Sequence, residues 1–291
     1  MDISVQQHIL PIVVILIMAT IGMELRLAQF DVLFKSPRVP IIGSLIHTFC
    51  FPVTTVLVLV FIRAVGWPLS DAAAIGMLLI AACPSGGFSN VMALIARVNL
   101  PLSVLLTSIS SILSFVTVPL MMGLFSFLIS DLDQPIRLPV LDTLIQLLVL
   151  ILIPIGAGML VRAWLDEWVD AHLQRIQKGG QFVLYVTILF LFLESWDTLA
   201  AGFSEALPWS ILLCSLNLFL CYQVSSWIGL DIEDRVTVAL EGSIRNLAVA
   251  LLIAVNVLGR MDIAVFPSVY FVAVMIIAVV FANVWRKIIR V

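Results

Sequence analysis

Residues 72–97 read AAAIGMLLIAACPSGGFSNVMALIAR. The stretch is long and apolar enough for a membrane span, since a bilayer core of roughly 30 Å takes about 20 helical residues. Yet Pro84, Ser85, Gly86 and Gly87 stand near its centre. Pro84 removes a backbone donor, and the two glycines weaken a helix further. Irregular backbone at that depth survives only where it is buried in protein or lines a wet cavity. Two arrangements meet the condition: a kink packed on a neighbouring helix, or a discontinuous helix at a binding site. Ser89 and Asn90 follow directly, and both are good N-cap types for a second half-helix. Residues 235–255, RVTVALEGSIRNLAVALLIAV, break the pattern differently. They carry Glu241, Arg245 and Asn246 inside an apolar segment, with Gly242 and Ser243 between. An ionisable residue inside a membrane bundle is expensive and points to function by default. Glu241 and Arg245 are spaced i,i+4, which permits an ion pair if the helix is continuous there. That pair would lock helices together; otherwise the two belong to a substrate or ion site.

The remaining sequence sets these two segments in lipid. Of 291 residues 62% are hydrophobic and 11% charged, and the mean hydropathy is +1.19. A soluble domain is about a quarter charged, so the apolar residues face a bilayer. A net charge of −3 without a basic block excludes nucleic acid as a partner. Cys50, Cys83, Cys214 and Cys221 form no CxxC pair, and the three histidines lack metal-ligand spacing. No HExxH, GxSxG or mid-span aspartate pair supports an intramembrane enzyme. Nine apolar segments are expected, at about 8–27, 38–62, 72–96, 98–128, 139–163, 179–196, 209–228, 235–257 and 262–285. The first reads as a retained helix, because no cation precedes Arg26 to form a signal-peptide n-region. Loops on the side following the first segment hold eleven cations: Arg26, Lys35, Arg38, Arg97, Arg162, Arg175, Lys178, Arg235, Arg286, Lys287 and Arg290. The opposite side holds Arg63, Arg137 and Arg260. The positive-inside rule then puts the N-terminus outside and the C-terminus in the cytoplasm. Trp164, Trp168, Trp196, Trp209, Trp227 and Trp285 read as an aromatic belt. Gln146, Asn217, Gln223, Asn256 and Asn283 read as bonds across helices.

The two irregular segments are five spans apart, so they cross the membrane in opposite directions. That is the mark of an inverted repeat. One repeat would cover about 8–128 and the other about 179–287, with 139–163 between. The expected fold is an all-α polytopic membrane protein: one transmembrane domain over 1–291, with two crossed discontinuous helices. Half-helix N-termini favour an anion, and half-helix C-termini with freed carbonyls favour a cation. These ends imply a cation-coupled carrier of a small anion, without cofactor. A passive channel is the competing reading, and predicts unsaturable, sodium-independent flux.

Three strings carry a family resemblance. CPSGGFSNVMALIARVNLPLSVLLTSISSILSFVTVPLMM (83–122) and GMELRLAQFDVLFKSPRVPIIGSLIHTFCFP (22–52) resemble the bile acid:sodium symporter family. EGSIRNLAVALLIA (241–254) resembles that family's second crossover helix, which usually reads E-x-G-M-Q-N. The resemblance is to bacterial-type members, runs over most of the chain and implies an inner-membrane protein with panel and core domains. It implies a sodium site at Ser89, Asn90, Ser103, Thr107 and Glu241, whose hydroxyl, amide and carboxylate oxygens suit a hard cation. Ser103 and Thr107, at i,i+4, also fit ordinary polar packing. Pro84, Gly86, Gly87 and Gly242 would shape the broken backbone.

The family's second sodium site is not matched. Its two glutamines are replaced here by His47 and Arg245, next to Asn246. A guanidinium has five donors and no acceptor, so it cannot ligate sodium. The expectation is that the second site is absent and Arg245 takes its place; a stronger version has Arg245 grip a substrate carboxylate. His47 reads as a packed neutral histidine, or alternatively as a proton-sensitive element. The resemblance therefore implies a small organic anion (bile-acid-like or carboxylate) as substrate and sodium as coupling ion, through one retained site. The alternatives are a sodium-independent or proton-coupled anion carrier, and efflux of an arsenite-type oxyanion through Cys83.

Overall fold

The computed structural model describes residues 3–25, 36–128 and 145–288, and every regular element among them is helical. In chain order these are α1 (Ile3–Glu24), α2 (Arg38–Val65), α3 (Asp71–Ala82), α4 (Phe88–Ala96), α5 (Leu100–Leu128) and α6 (Ile145–Trp164). They continue with α7 (Asp166–Glu194), α8 (Trp196–Trp227), α9 (Ile232–Ser243), α10 (Leu247–Val257) and α11 (Met261–Ile288). A π-helical stretch lies within α6 at Leu148–Leu152 and closes α10 at Leu252–Val257. Six helices (α2, α5, α6, α7, α8, α11) are long and apolar enough to cross a membrane. Their outward side chains are apolar: Leu57, Leu120, Leu189 and Ile276 are each more than half exposed. In water that surface would be strongly unfavourable, whereas in lipid it carries no penalty. The chain is an integral, multi-pass membrane protein.

The expected sixth and seventh segments, 179–196 and 209–228, are shorter than the helices found. α7 begins at Asp166 and α8 at Trp196. Hydropathy marks the slab a helix crosses, while Glu, Gln, Lys and Leu keep the helix wound beyond it. Trp209 stands inside α8, is 9% exposed and meets Trp67 edge-on at 5.7 Å, so its ring is packed against protein. Trp164 and Trp227, both more than three-quarters exposed, retain the belt reading. Arg26, Lys35, Arg137, Arg290 and residues 139–144 lie outside the described residues.

α1 packs chiefly on α6 and α7, and the other helices pack mainly on one another. The α1–α6 seam is a contact of backbones. A Cβ on Gly22 would lie 2.1 Å from the Ile155 carbonyl oxygen, and one on Gly158 would lie 2.1 Å from that of Ala19. Between membrane helices there is little hydrophobic driving force, so association depends on such close approach of small residues. Gly158→Ala is therefore expected to lower the melting temperature in detergent by several degrees, since over-packing costs about 1–3 kcal/mol. Gly156→Ala, where a Cβ meets nothing within 4 Å, is the control and should leave melting unchanged. Equal melting of the two variants would refute the seam.

Candidate functional site at the crossing of two broken helices

The first break follows from local chemistry. A residue before proline is driven out of the α region, and Cys83 has φ −65° and ψ 151°. Helix resumes at Phe88, so Ser89 and Asn90 lie in the first turn of α4 and are not its caps. The Ser89 hydroxyl instead donates back to the Gly86 carbonyl at 2.8 Å. The second break has no proline. α9 ends at Ser243, Ile244 is extended, and Asn246 caps α10 by accepting from the Val249 N–H at 3.3 Å.

The two breaks cross and pair. Ser85 and Arg245 form an antiparallel bridge, with the Gly86 N–H donating to the Ile244 carbonyl at 3.1 Å and the Asn246 N–H to the Pro84 carbonyl at 2.9 Å. Each break thus satisfies groups that the other leaves open, as dry backbone requires. A Cβ on Gly86 would sit 3.1 Å from the Arg245 carbonyl oxygen, so the glycine permits the approach. Neighbouring helices complete the accounting. Asn217 on α8 donates to the Gly242 carbonyl at 2.8 Å, and the Tyr270 hydroxyl on α11 donates to the Ser243 carbonyl at 2.7 Å. Gly242 faces Cys221 closely enough that a Cβ would lie 2.7 Å from its sulfur.

Glu241 and Arg245 point to different partners, because the helix that would pair them at i,i+4 stops between them. No ion pair joins them among the described residues. Glu241, fully buried, takes three hydroxyl donors: Ser85 at 2.7 Å, Thr107 at 2.9 Å, and Ser103 on its other oxygen. The Asn90 amide oxygen lies 2.8 Å from Ser103 Oγ and 3.3 Å from Thr107 Oγ1. Ser89 Oγ is 3.3 Å from Ser85 Oγ and 3.4 Å from Thr107 Oγ1. All five residues of the expected set therefore meet. Ser85 joins them as a sixth, which the sequence marks only as part of a helix breaker; its one signal is its place inside the break. Oxygen lone pairs outnumber protons here. Four hydroxyls bring one proton each, Ser89's goes to Gly86, and the carboxylate alone accepts about four bonds. Such a cluster favours a cation at its centre.

Arg245 is 2% exposed and turns the other way. Its guanidinium donates to the His47 carbonyl at 2.8 Å and the Cys83 carbonyl at 3.0 Å, and lies over the Phe51 ring at 4.9 Å. It also stands 3.4 Å from His47 Nε2. A fixed cation thus meets the C-terminal end of α3, where the helix dipole is negative. Cys83 is 1% exposed and lines a small nook with His47, Thr48, Pro84 and Ser110.

Beside the crossing a larger crevice opens, with a cavity of about 170 Å³. Asn90, Gly87, Asn246 and Leu247 form one wall, and Thr20, Glu24, Gln177 and Gln181 of α1 and α7 form the other.

Removing the Tyr270 hydroxyl isolates one support of the crossing. Tyr270→Phe leaves the buried Ser243 carbonyl without that donor and is expected to destabilise the protein by about 1–3 kcal/mol. Thermal denaturation in detergent checks this; unchanged melting would mean the carbonyl has another donor.

Comparison with known proteins finds transporters by name among the relatives of this chain. A human protein named sodium/bile acid cotransporter 4 is 28% identical over 211 residues, covering 70% of this chain and 47% of its own length. The probable sodium/metabolite cotransporter BASS1, chloroplastic, of Arabidopsis thaliana is 24% identical over 273 residues, 93% of this chain and 65% of its own. The sodium-dependent transporter YocS of Bacillus subtilis is 31% identical over 154 residues, 53% of this chain and 44% of its own. The chain spans about half to two thirds of the length of these relatives, which are transporters by name rather than enzymes. Residues 11–201, more than half of the sequence, match the model of the Sodium Bile acid symporter family, and the chain belongs to that family.

Proposed function

We propose that the protein is a secondary active transporter that couples uptake of a small organic anion to one sodium ion. The observation that carries this is the convergence of Ser85, Ser103 and Thr107 on the Glu241 carboxylate, with Ser89 and Asn90 against those hydroxyls, at the crossing of two broken helices. One carboxylate among neutral oxygens suits a monovalent ion. A divalent ion would leave a net charge in a low-dielectric site, which is strongly unfavourable. No group of three or more His, Cys, Asp or Glu fit to hold a metal occurs among the described residues. The names of the relatives, two of them sodium cotransporters, support the same ion.

In this reading the broken helices α3–α4 and α9–α10 each make one crossing. With the seven other helices they give nine spans, the N-terminus outside, in a bacterial inner membrane. Residues 8–128 and 179–287 are the inverted repeats; α1, α6 and α7 form the panel and the other helices the core. The crevice between them admits the substrate, and rocking of one group against the other exposes it alternately. The guanidinium of Arg245 replaces a second cation. Its bonds to the His47 and Cys83 carbonyls support that role over direct capture of a substrate carboxylate. Cys83 lies away from the crevice, which disfavours a thiol-dependent oxyanion carrier.

Uptake of a panel of carboxylates into proteoliposomes tests this, with an inward sodium gradient, a proton gradient or neither. Sodium alone is expected to drive uptake, and Glu241→Gln to reduce it at least about tenfold, since each 1.4 kcal/mol is tenfold in binding. Equal uptake in all three conditions would sink the proposal. Paired fluxes of radiolabelled sodium and substrate should give one sodium per substrate in the wild type and more in His47→Gln/Arg245→Gln. Two coupled sodium ions in the wild type would show that the guanidinium does not stand in for an ion.

A further inference from the structure

The crevice walls combine apolar side chains with a set of hydrogen-bonding groups on α1 and α7. Thr20 and Glu24 are spaced i,i+4 on α1, and Gln177 and Gln181 are spaced i,i+4 on α7, so each pair shares a helix face. All four line the crevice opposite Asn90 and Asn246. The wall of α1 and α7 therefore carries four hydrogen-bonding groups beside the apolar Ile17, Ile21 and Leu184. Glu24 contributes the only acid among the described lining residues, with Gln177 beside it, and Arg245 is the only base.

An anion entering this crevice approaches a carboxylate. Arg245 also borders the crevice, but its guanidinium is 2% exposed and donates to two carbonyls over the Phe51 ring, so it offers an entering solute no open partner to match Glu24. A purely anionic solute would be repelled, since like charges a few ångströms apart in a partly dry site interact strongly. A solute that also carries a protonated amine turns that repulsion into a charge-assisted hydrogen bond. The glutamine amides accept and donate, and the Thr20 hydroxyl, whose proton goes to the Ile17 carbonyl at 2.7 Å, accepts, so together they would hold the polar groups of a small solute.

We propose that Glu24 determines specificity, and that the crevice takes a small amphoteric solute whose ammonium group meets Glu24 while its carboxylate faces the crossing. The carboxylate half rests on the function proposed above; the ammonium half rests on the lining.

Sodium-driven uptake of three matched probes tests both halves: 4-aminobutanoate, butanoate and butylammonium. The wild type should take up 4-aminobutanoate at least about tenfold faster than butanoate. Glu24→Gln should bring that ratio near one by slowing the amino acid and raising butanoate uptake, which also shows that the variant folds. Glu24→Asp should keep the preference. Equal rates for 4-aminobutanoate and butanoate in the wild type, or a preference that survives Glu24→Gln, would overturn the assignment. So would uptake of none of the three by vesicles that transport another carboxylate, and the anion reading would then still stand. Uptake of butylammonium alone, lost in Glu24→Gln, would uphold the contact with Glu24 and sink the anion reading instead.

Discussion

The antiparallel bridge between Ser85 and Arg245 is the contact on which the site depends. Two helices that stop in mid-membrane leave carbonyls and N–H groups that no water reaches. Each such group costs free energy comparable to a lost hydrogen bond. Pairing the two breaks with each other removes much of that cost at one place. It also fixes the angle at which four half-helix ends meet. Glu241, at the last turn of α9, is thereby held against Ser85 from the opposite break.

The bridge also sorts the two ionisable residues. Because α9 ends at Ser243, the chain between Glu241 and Arg245 does not follow helical spacing, and the side chains go to different partners. The carboxylate gathers hydroxyls from α5 and the first break. The guanidinium takes carbonyls at the end of α3 and along α2. A buried charge pair in contact would cancel and leave little to recruit an ion. Kept apart, the two charges act separately. The acid faces the proposed sodium, and the base faces the negative end of a half-helix.

Support for the crossing comes from helices with no part in the acid cluster. Asn217 and Tyr270 hold the carbonyls at the end of α9, and Gly242 lets α8 approach closely. Asn217 was legible in the sequence only as one of several polar span residues. Its particular role depends on a carbonyl that is free only because α9 stops.

The sequence determined much on its own, for definite reasons. Low charge and long apolar runs required lipid as solvent. Pro84 with Gly86 and Gly87 required a break, since proline disfavours helix at the residue before it whatever the surroundings. The five oxygen-bearing residues were legible through the resemblance of their strings, and the structure brings them together. Tertiary structure decided the rest. The second break contains no proline, so nothing local required α9 to end at Ser243; pairing with the first break supplies the hydrogen bonds that offset the ending. For the same reason the i,i+4 pairing of Glu241 with Arg245, sound for a continuous helix, does not form. The lengths of α7 and α8 and the burial of Trp209 were likewise beyond hydropathy, which reports the thickness of the slab and not what packs outside or within it. Glu24 stood in the sequence as an acid at the end of a span. Only the packing of α1 beside α7 places it in a crevice wall with two glutamines, because neighbours across helices are set by the fold and not by spacing along the chain.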